Sequence, residues 1–175
     1  MHEEDEARLY LMGGSFNPPG NHHESMEDIL LAHMRPKDRL LIMPCGIRTD
    51  KASNADTTAL HRANMCRLAF ARDDTRVQLD LEDLRRDEFE RMWDTRERLM
   101  AEGHNVWLVV GGDLTVGGVQ GKSEIQKGWF QGTRLWDEAN FFVIMRAGYD
   151  FHSEDLPPHS ATPDLGARTR SERIR

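Results

Sequence analysis

The chain has 175 residues, 38% apolar and 30% charged, which suits one soluble globular domain with a sizeable core. A formal net charge of −7 argues against a general nucleic-acid surface, while a local basic pocket for a nucleotide remains compatible with it. No apolar run approaches the roughly eighteen residues of a membrane span, so no membrane partner is expected.

Residues 1–7, with Met1-His2-Glu3-Glu4-Asp5-Glu6, read as a solvated acidic tail, the opposite of a basic and then apolar signal peptide. The remainder, 8–175, reads as a single domain. Arg8-Leu9-Tyr10-Leu11-Met12 is a short apolar run expected as a strand, and Glu24 to Met34 is expected as a helix. Between them stands Gly13-Gly14-Ser15-Phe16-Asn17-Pro18-Pro19-Gly20-Asn21-His22-His23. Glycines in a strand-to-helix turn let the backbone approach a ligand, and the N–H groups opening the helix can hold an anion. Phosphate is the expected anion, with His22 and His23 placed to donate to its oxygens as charge builds up.

In the helix, Met26, Ile29, Leu30, His33 and Met34 recur at three- and four-residue spacing and predict a buried face ended by Pro36. Arg39 to Met43 is a continuous apolar run, as in a buried parallel strand. The opening is therefore β-α-β, which implies a parallel sheet with helices on both faces. Residues 44–58 form a polar loop at the strand's C-terminal end, where ligands bind in open α/β sheets; Lys51 and Arg48 stand there for a phosphate. Cys45 and Cys66 have neither metal spacing nor a disulfide framework, and the cytoplasm fits best. Thr57 or Thr58 caps a predicted helix 59–71 with Leu60, Ala63, Asn64, Arg67 and Leu68 on one face. Val77-Gln78-Leu79 is the expected third strand. A charged helix from Asp87 to Glu102, ended by Gly103, carries Phe89, Met92, Trp93, Arg96 and Leu99.

Asn105 to Val110 is the clearest central strand and runs into Gly111-Gly112-Asp113, a carboxylate placed for a ribose hydroxyl or a metal–phosphate group. Gly117-Gly118-Val119-Gln120-Gly121-Lys122-Ser123 mimics a Gly-x4-Gly-Lys-Ser phosphate loop, but the spacing fails, because Val116 stands where the first glycine belongs. Residues 114–128 read instead as a flexible insertion in which Lys122 reaches a phosphate on loop closure. A helix is expected from Trp129 through Thr133, Leu135 and Trp136, then a strand 141–145, then a loop over 150–167.

The stretch GGSFNPPGNHH resembles the Gly-x-Phe-x-Pro-x-His-x-Gly-His loop of nucleotidyltransferases, and within them the nicotinate and nicotinamide mononucleotide adenylyltransferases. Gly14, Phe16, Pro18 and His23 fall on motif positions, whereas Gly20 replaces the first His and His22 the last Gly. Gly111-Gly112-Asp113 matches a Gly-x-Asp of similar enzymes. Trp93-Asp94-Thr95 stands at their Tyr/Thr-x-Asp-Thr segment, and Trp129 with Arg146-Ala147-Gly148-Tyr149 follows their Trp and Arg-Pro-Gly-Tyr. Ser171, Ile174 and Arg175 resemble the closing Ser-Ser-Thr-x-Ile-Arg.

The resemblance implies a Rossmann-like nucleotidyltransferase fold and transfer of AMP from ATP to a pyridine mononucleotide, with Mg²⁺ bridging phosphates. His22, His23 and Arg175 would act on the phosphates, as would Gly13, Gly14, Ser15, Phe16, Lys51 and Ser171. Gly111 and Asp113 would serve the adenosine side, and Trp93, Thr95, Trp129 and Arg146 the pyridine nucleotide. Two other readings stay open: a same-fold enzyme with another phosphorylated acceptor, such as phosphopantetheine, and a nucleotide-binding module without catalysis. Nicotinate or nicotinamide preference and oligomeric state are open as well.

Overall fold

The structure, a computed structural model, describes residues 5–46, 58–70, 72–86, 89–145 and 152–163. Its frame is a six-stranded parallel sheet in the order β3-β2-β1-β4-β5-β6. The strands are β1 (Arg8–Gly14), β2 (Arg39–Pro44), β3 (Val77–Leu79), β4 (Asn105–Gly111), β5 (Asn140–Ile144) and β6 (Ser160–Ala161). The helices are α1 (Asn21–His33), α2 (Ala59–Ala69), α3 (Met92–Ala101), α4 (Glu124–Gly128) and α5 (Gly132–Glu138). Strand order reverses between β1 and β4, the switch point at which doubly wound sheets open a crevice for ligands.

The period of two along each strand sorts the core into two layers. Tyr10, Met12, Leu40, Ile42, Val109 and Phe142 face α1 and α2, where Met26, Leu30, Cys66 and Phe70 meet them. Leu11, Leu41, Leu108, Val110, Phe141 and Val143 face the other side and pack with Leu99, Ile125, Leu135 and Trp136. Both faces are covered, which is why the strands read as continuous apolar runs.

Several sequence expectations shift. The acidic tail is tied down at its end: the Asp5 carboxylate meets Lys37 Nζ at 2.6 Å and the Glu6 carbonyl accepts from Arg35 at 2.7 Å. Within α1, His33 is exposed, and Glu27 is fully buried beside Arg72 Nε at 3.2 Å. α2 starts after Thr58, whose hydroxyl accepts the His61 N–H, but its buried face is Arg62, Ala63 and Cys66, leaving Leu60 and Leu68 exposed. α3 begins at Met92, because the Glu90 N–H donates to the Asp83 carboxylate at 2.8 Å and holds the preceding residues outside the helix.

Residues 114–128 are ordered. Ser123 is buried and forms a capping box with Gln126, Ile125 is fully buried, and a Cβ at Gly118 would stand 2.4 Å from the Trp136 ring. Trp129 ends α4 and does not open a helix, because the chain breaks at Gln131 with φ 55 before α5 starts. The expected loop over 150–167 contains the short β6, which pairs Phe141 with Ser160 and Phe142 with Ala161.

Candidate active site

The C-terminal ends of β1 and β4 diverge at the switch point, and the β1–α1 turn fills the gap. A Cβ at Gly13 would stand 2.8 Å from the Met92 terminal methyl, so a side chain there would have to push that flexible methionine aside. Phe16 adopts φ 44, a left-handed conformation uncommon for a bulky residue. Burial holds it, with edge contacts to Phe70 at 5.1 Å and His23 at 4.9 Å between ring centroids. The aromatic ring is thus a wall against which the imidazole is set.

Gly20 is the N-cap of α1, and the two histidines occupy its first turn. The Gly20 N–H donates to His23 Nδ1 at 2.9 Å. With Nδ1 an acceptor, the ring proton sits on Nε2, which makes that nitrogen a donor. The His22 ring lies 3.7 Å from the His23 ring, centroid to centroid, and folds back over Gly20. A Cβ on residue 20 would stand 2.8 Å from His22 Nδ1, so His22 fills the space that a side chain at 20 would enter.

Two adjoining cavities flank this turn. The smaller, about 150 Å³, is lined by Gly13, His22, His23, Gly111, Asp113 and Trp129 among others. The larger, about 510 Å³, is lined by Gly13, Gly14, Cys45, Asp83, the segment Phe89–Met92, Thr95, Trp129 and Phe130 among others. Gly13, Met92 and Trp129 line both, so the two spaces meet at the end of β1 beneath one indole. In the larger cavity, Glu90 accepts from the Thr95 hydroxyl and from Arg98 Nη2, each at 2.9 Å. The Arg98 hydrogen bonds, seconded by Thr95 and working against burial, hold the Glu90 carboxyl below the usual carboxylate range.

Beneath the turn lies Arg62, which is buried. Its guanidinium donates to the Ser15 carbonyl at 2.6 Å and the Cys45 carbonyl at 2.5 Å, tying the β1 loop to the β2 loop. Gly46 N–H and Glu90 N–H both donate to the Asp83 carboxylate, which joins the β2 loop to the entry of α3.

The residues expected at the site thus divide. Gly13, Gly14, His22, His23, Gly111, Asp113, Thr95 and Trp129 come together around the two cavities, with Phe16 behind them. Ser15 lies in the turn with its carbonyl held by Arg62, and its hydroxyl oxygen is 3.8 Å from Cys45 Sγ. Trp93 lines neither cavity. Its ring packs against the core layer of Leu99 and Trp136 and is held under Arg134 at 4.7 Å and Arg96 at 5.7 Å. Lys122 is exposed and lines neither space. Lys51, Arg146, Ser171 and Arg175 lie outside the described residues. Sequence reasoning missed Asp83, Glu90, Arg91 and Phe130 as cavity residues and did not see the clamp made by Arg62. Placing Phe89 to Arg91 inside a helix concealed Glu90 and Arg91.

This arrangement defines a nucleotide-binding α/β crevice, and comparison with known proteins gives its family. The sequence profile of the cytidylyltransferase-like family matches residues 11–162, and the chain belongs to that family. A nicotinate-nucleotide adenylyltransferase of Bacillus subtilis (strain 168) is 26% identical over 153 residues, covering 86% of this chain and 75% of its own length. A probable nicotinate-nucleotide adenylyltransferase of Herminiimonas arsenicoxydans is 24% identical over 169 residues, covering 95% and 73%. Among solved structures, the Plasmodium falciparum nicotinic acid mononucleotide adenylyltransferase complexed with NaAD superposes with a TM-score of 0.64 at 17% identity, covering 90% of this chain and 74% of that one. The shared fold is the Rossmann-like nucleotidyltransferase sheet expected from the sequence.

Proposed function

We propose that this chain transfers AMP from ATP to the 5′-phosphate of nicotinate mononucleotide, releasing pyrophosphate, a step of NAD biosynthesis. The observation that carries the reading is the junction of the two cavities at Gly13, Met92 and Trp129. One space has imidazoles suited to a triphosphate and a carboxylate suited to a ribose hydroxyl or to a cation riding on the phosphates. The other has aromatic walls and a volume suited to a flat base on a ribose phosphate. The names of the curated relatives point the same way. Among the described residues no helix is long and apolar enough to cross a membrane, and the free thiols Cys45 and Cys66 suit a reducing cytoplasm.

The nucleophile is a phosphate oxygen already ionised at neutral pH, so no base and no covalent enzyme intermediate is needed. That oxygen attacks the α-phosphorus, the bond from α-phosphorus to the bridging oxygen breaks, and the electron pair leaves with pyrophosphate. The protein's contribution is position and charge stabilisation. The Gly13–Phe16 backbone lets the phosphates approach. His23 Nε2–H, fixed by the Gly20 N–H, donates to an oxygen that gains charge. His22 does the same from its place over Gly20. Asp113, half-buried past the end of β4, is placed for the ribose or for a cation riding on the phosphates.

Among the described residues Asp113 is the one carboxylate lining the smaller cavity, and no cluster of three or more metal-ligating side chains occurs. That donor set fits Mg²⁺ carried in on the triphosphate with few protein ligands. When bound, the ion would neutralise phosphate charge. Lys51, Ser171 and Arg175 remain proposed phosphate ligands, and Arg146 a proposed pyridine-side ligand.

The test is incubation with ATP, Mg²⁺ and nicotinate mononucleotide, with the dinucleotide and pyrophosphate separated chromatographically. Equimolar appearance of both is expected. Tight ATP binding without pyrophosphate release, with either pyridine mononucleotide as acceptor, would overturn the reading in favour of a binding module.

A further inference from the structure

We infer that Arg91 is the residue that selects nicotinate over nicotinamide mononucleotide, by pairing its guanidinium with the carboxylate on the pyridine ring. The inference deepens the adenylyltransferase reading and rests on it.

Arg91 is the N-cap residue of α3 and lines the larger cavity. Its guanidinium carbon lies 4.4 Å from the centroid of the Phe130 ring, which belongs to the α4–α5 link. The side chain therefore reaches from one wall of the cavity to another and is set there by stacking. The charges around it are unequal in their commitments. Asp83 accepts the Gly46 and Glu90 N–H groups, and Glu90 is engaged by Thr95, by Arg98 and, at 3.9 Å, by Arg86. Both carboxylates of the lining are thus occupied. Arg91 meets no carboxylate among the described residues, and its one contact is the face of Phe130.

The cavity accordingly presents an aromatic slot, Phe89, Trp129 and Phe130, with one planar cation at its edge that meets no carboxylate among the described residues. A pyridine ring fits the slot, and the substituent on that ring meets the cation. A carboxylate offers two acceptor oxygens to the guanidinium fork and cancels its charge. A carboxamide offers one acceptor, turns an NH2 donor toward donors, and leaves the charge uncancelled. Stacking on Phe130 fixes the fork before the substrate arrives, so little ordering remains to be done on binding.

The experiment compares kcat/KM for nicotinate and nicotinamide mononucleotides, at saturating ATP and Mg²⁺, in the wild type, Arg91→Ala and Arg91→Lys. Equilibrium binding of each mononucleotide is measured in parallel. Wild type is expected to favour nicotinate by more than about tenfold, since charge-assisted hydrogen bonds of this kind carry discrimination of that order. Arg91→Ala should collapse the ratio by about tenfold or more, mainly through KM for nicotinate mononucleotide, and Arg91→Lys should fall between. A ratio that changes by less than about threefold overturns the inference. That includes an equal loss toward both acceptors, the result expected if the guanidinium met the shared 5′-phosphate or merely held α3 in place. If the wild type binds both mononucleotides and adenylylates neither, the adenylyltransferase reading fails, while the binding ratio still decides whether Arg91 reads the carboxylate.

Discussion

At the scale of single residues, the most instructive pair is Gly20 and His22. The related loop motif orders these positions His-x-Gly-His, and this chain orders them Gly-x-His-His at 20–23. The structure gives the exchange a physical meaning, because the His22 imidazole folds into the space that a side chain at 20 would enter. The same atoms can therefore face the smaller cavity from either backbone position. The expected outcome is that His22→Ala alone lowers kcat by about a hundred- to a thousandfold, the usual cost of losing one donor to a transition state. Restoring the motif order in the double variant Gly20→His with His22→Gly should recover most of that loss, whereas Gly20→His alone, with His22 still in place, should crowd the two rings and lower the rate from wild type. Pyrophosphate release under saturating ATP measures all three. A double variant no better than His22→Ala would mean that the space over Gly20 is not the working position of the ring.

At the scale of elements, helix α2 shows both what the sequence conveys and what it withholds. Thr58 as the cap and a helix from 59 are read directly from residue types, because the capping hydroxyl and the helical spacing are local signals. The buried face is not local. Leu60 and Leu68 are the apolar residues, yet they are exposed, and Arg62 goes inward because two backbone carbonyls of distant loops await its guanidinium. Periodicity counts apolar side chains and cannot register a buried polar one whose partners lie 47 and 17 residues away. The late start of α3 has the same origin, a carboxylate at 83 that captures the backbone at 46 and 90. Arg62 is thus a positioning residue under the phosphate turn. Arg62→Leu should destabilise the fold by about 2–4 kcal/mol, since two buried carbonyls lose their donor, and should raise KM for ATP as the turn slackens. Arg62→Lys, keeping the charge but not the fork, should recover part of both. Urea midpoints at constant slope together with KM would check this; a variant with unchanged midpoint and unchanged KM would remove the clamp from the account.

For the molecule as a whole, a parallel sheet covered on both faces was legible because β1, β2, β4 and β5 are continuous apolar runs, while the strand order was not, and two-residue β6 carries too little pattern to announce itself. The N-terminal end of the central strands, opposite the site, is closed by polar contacts of a different kind, and these set the molecule's response to acid. Asp38, almost fully buried, accepts from the Arg8 N–H at 3.0 Å, the Arg35 N–H at 2.8 Å and the Arg35 guanidinium at 2.8 Å, so one carboxylate joins the starts of β1 and β2 to the end of α1. Burial by itself would raise its carboxyl, but the Arg35 side chain and the two backbone N–H groups together outweigh burial and leave it below its ordinary 3.8. A carboxyl lowered by folding stabilises the folded state in full above its unfolded value, and that stabilisation is lost as pH falls through the folded value. Asp74, drawn down to about 2 by Arg76, has the same sign but is partly exposed, where screening reduces its weight. Glu27 has the opposite sign: burial raises its carboxyl against the pull of Arg72, so its stabilisation declines as pH rises from 4.5 through the raised value. Asp38 should therefore dominate the acid limb. Asp38→Asn is expected to lower stability at pH 7 by about 1–3 kcal/mol, within the range for removing one partner of a hydrogen-bonded buried charge. The gap from wild type should close as pH is taken below 3.8, because the wild-type carboxylate is then being neutralised as well. Urea unfolding at a series of pH values reads this directly, and a gap that stays constant from pH 7 into the acid range would show that Asp38 holds this end of the sheet by shape alone and not by its charge.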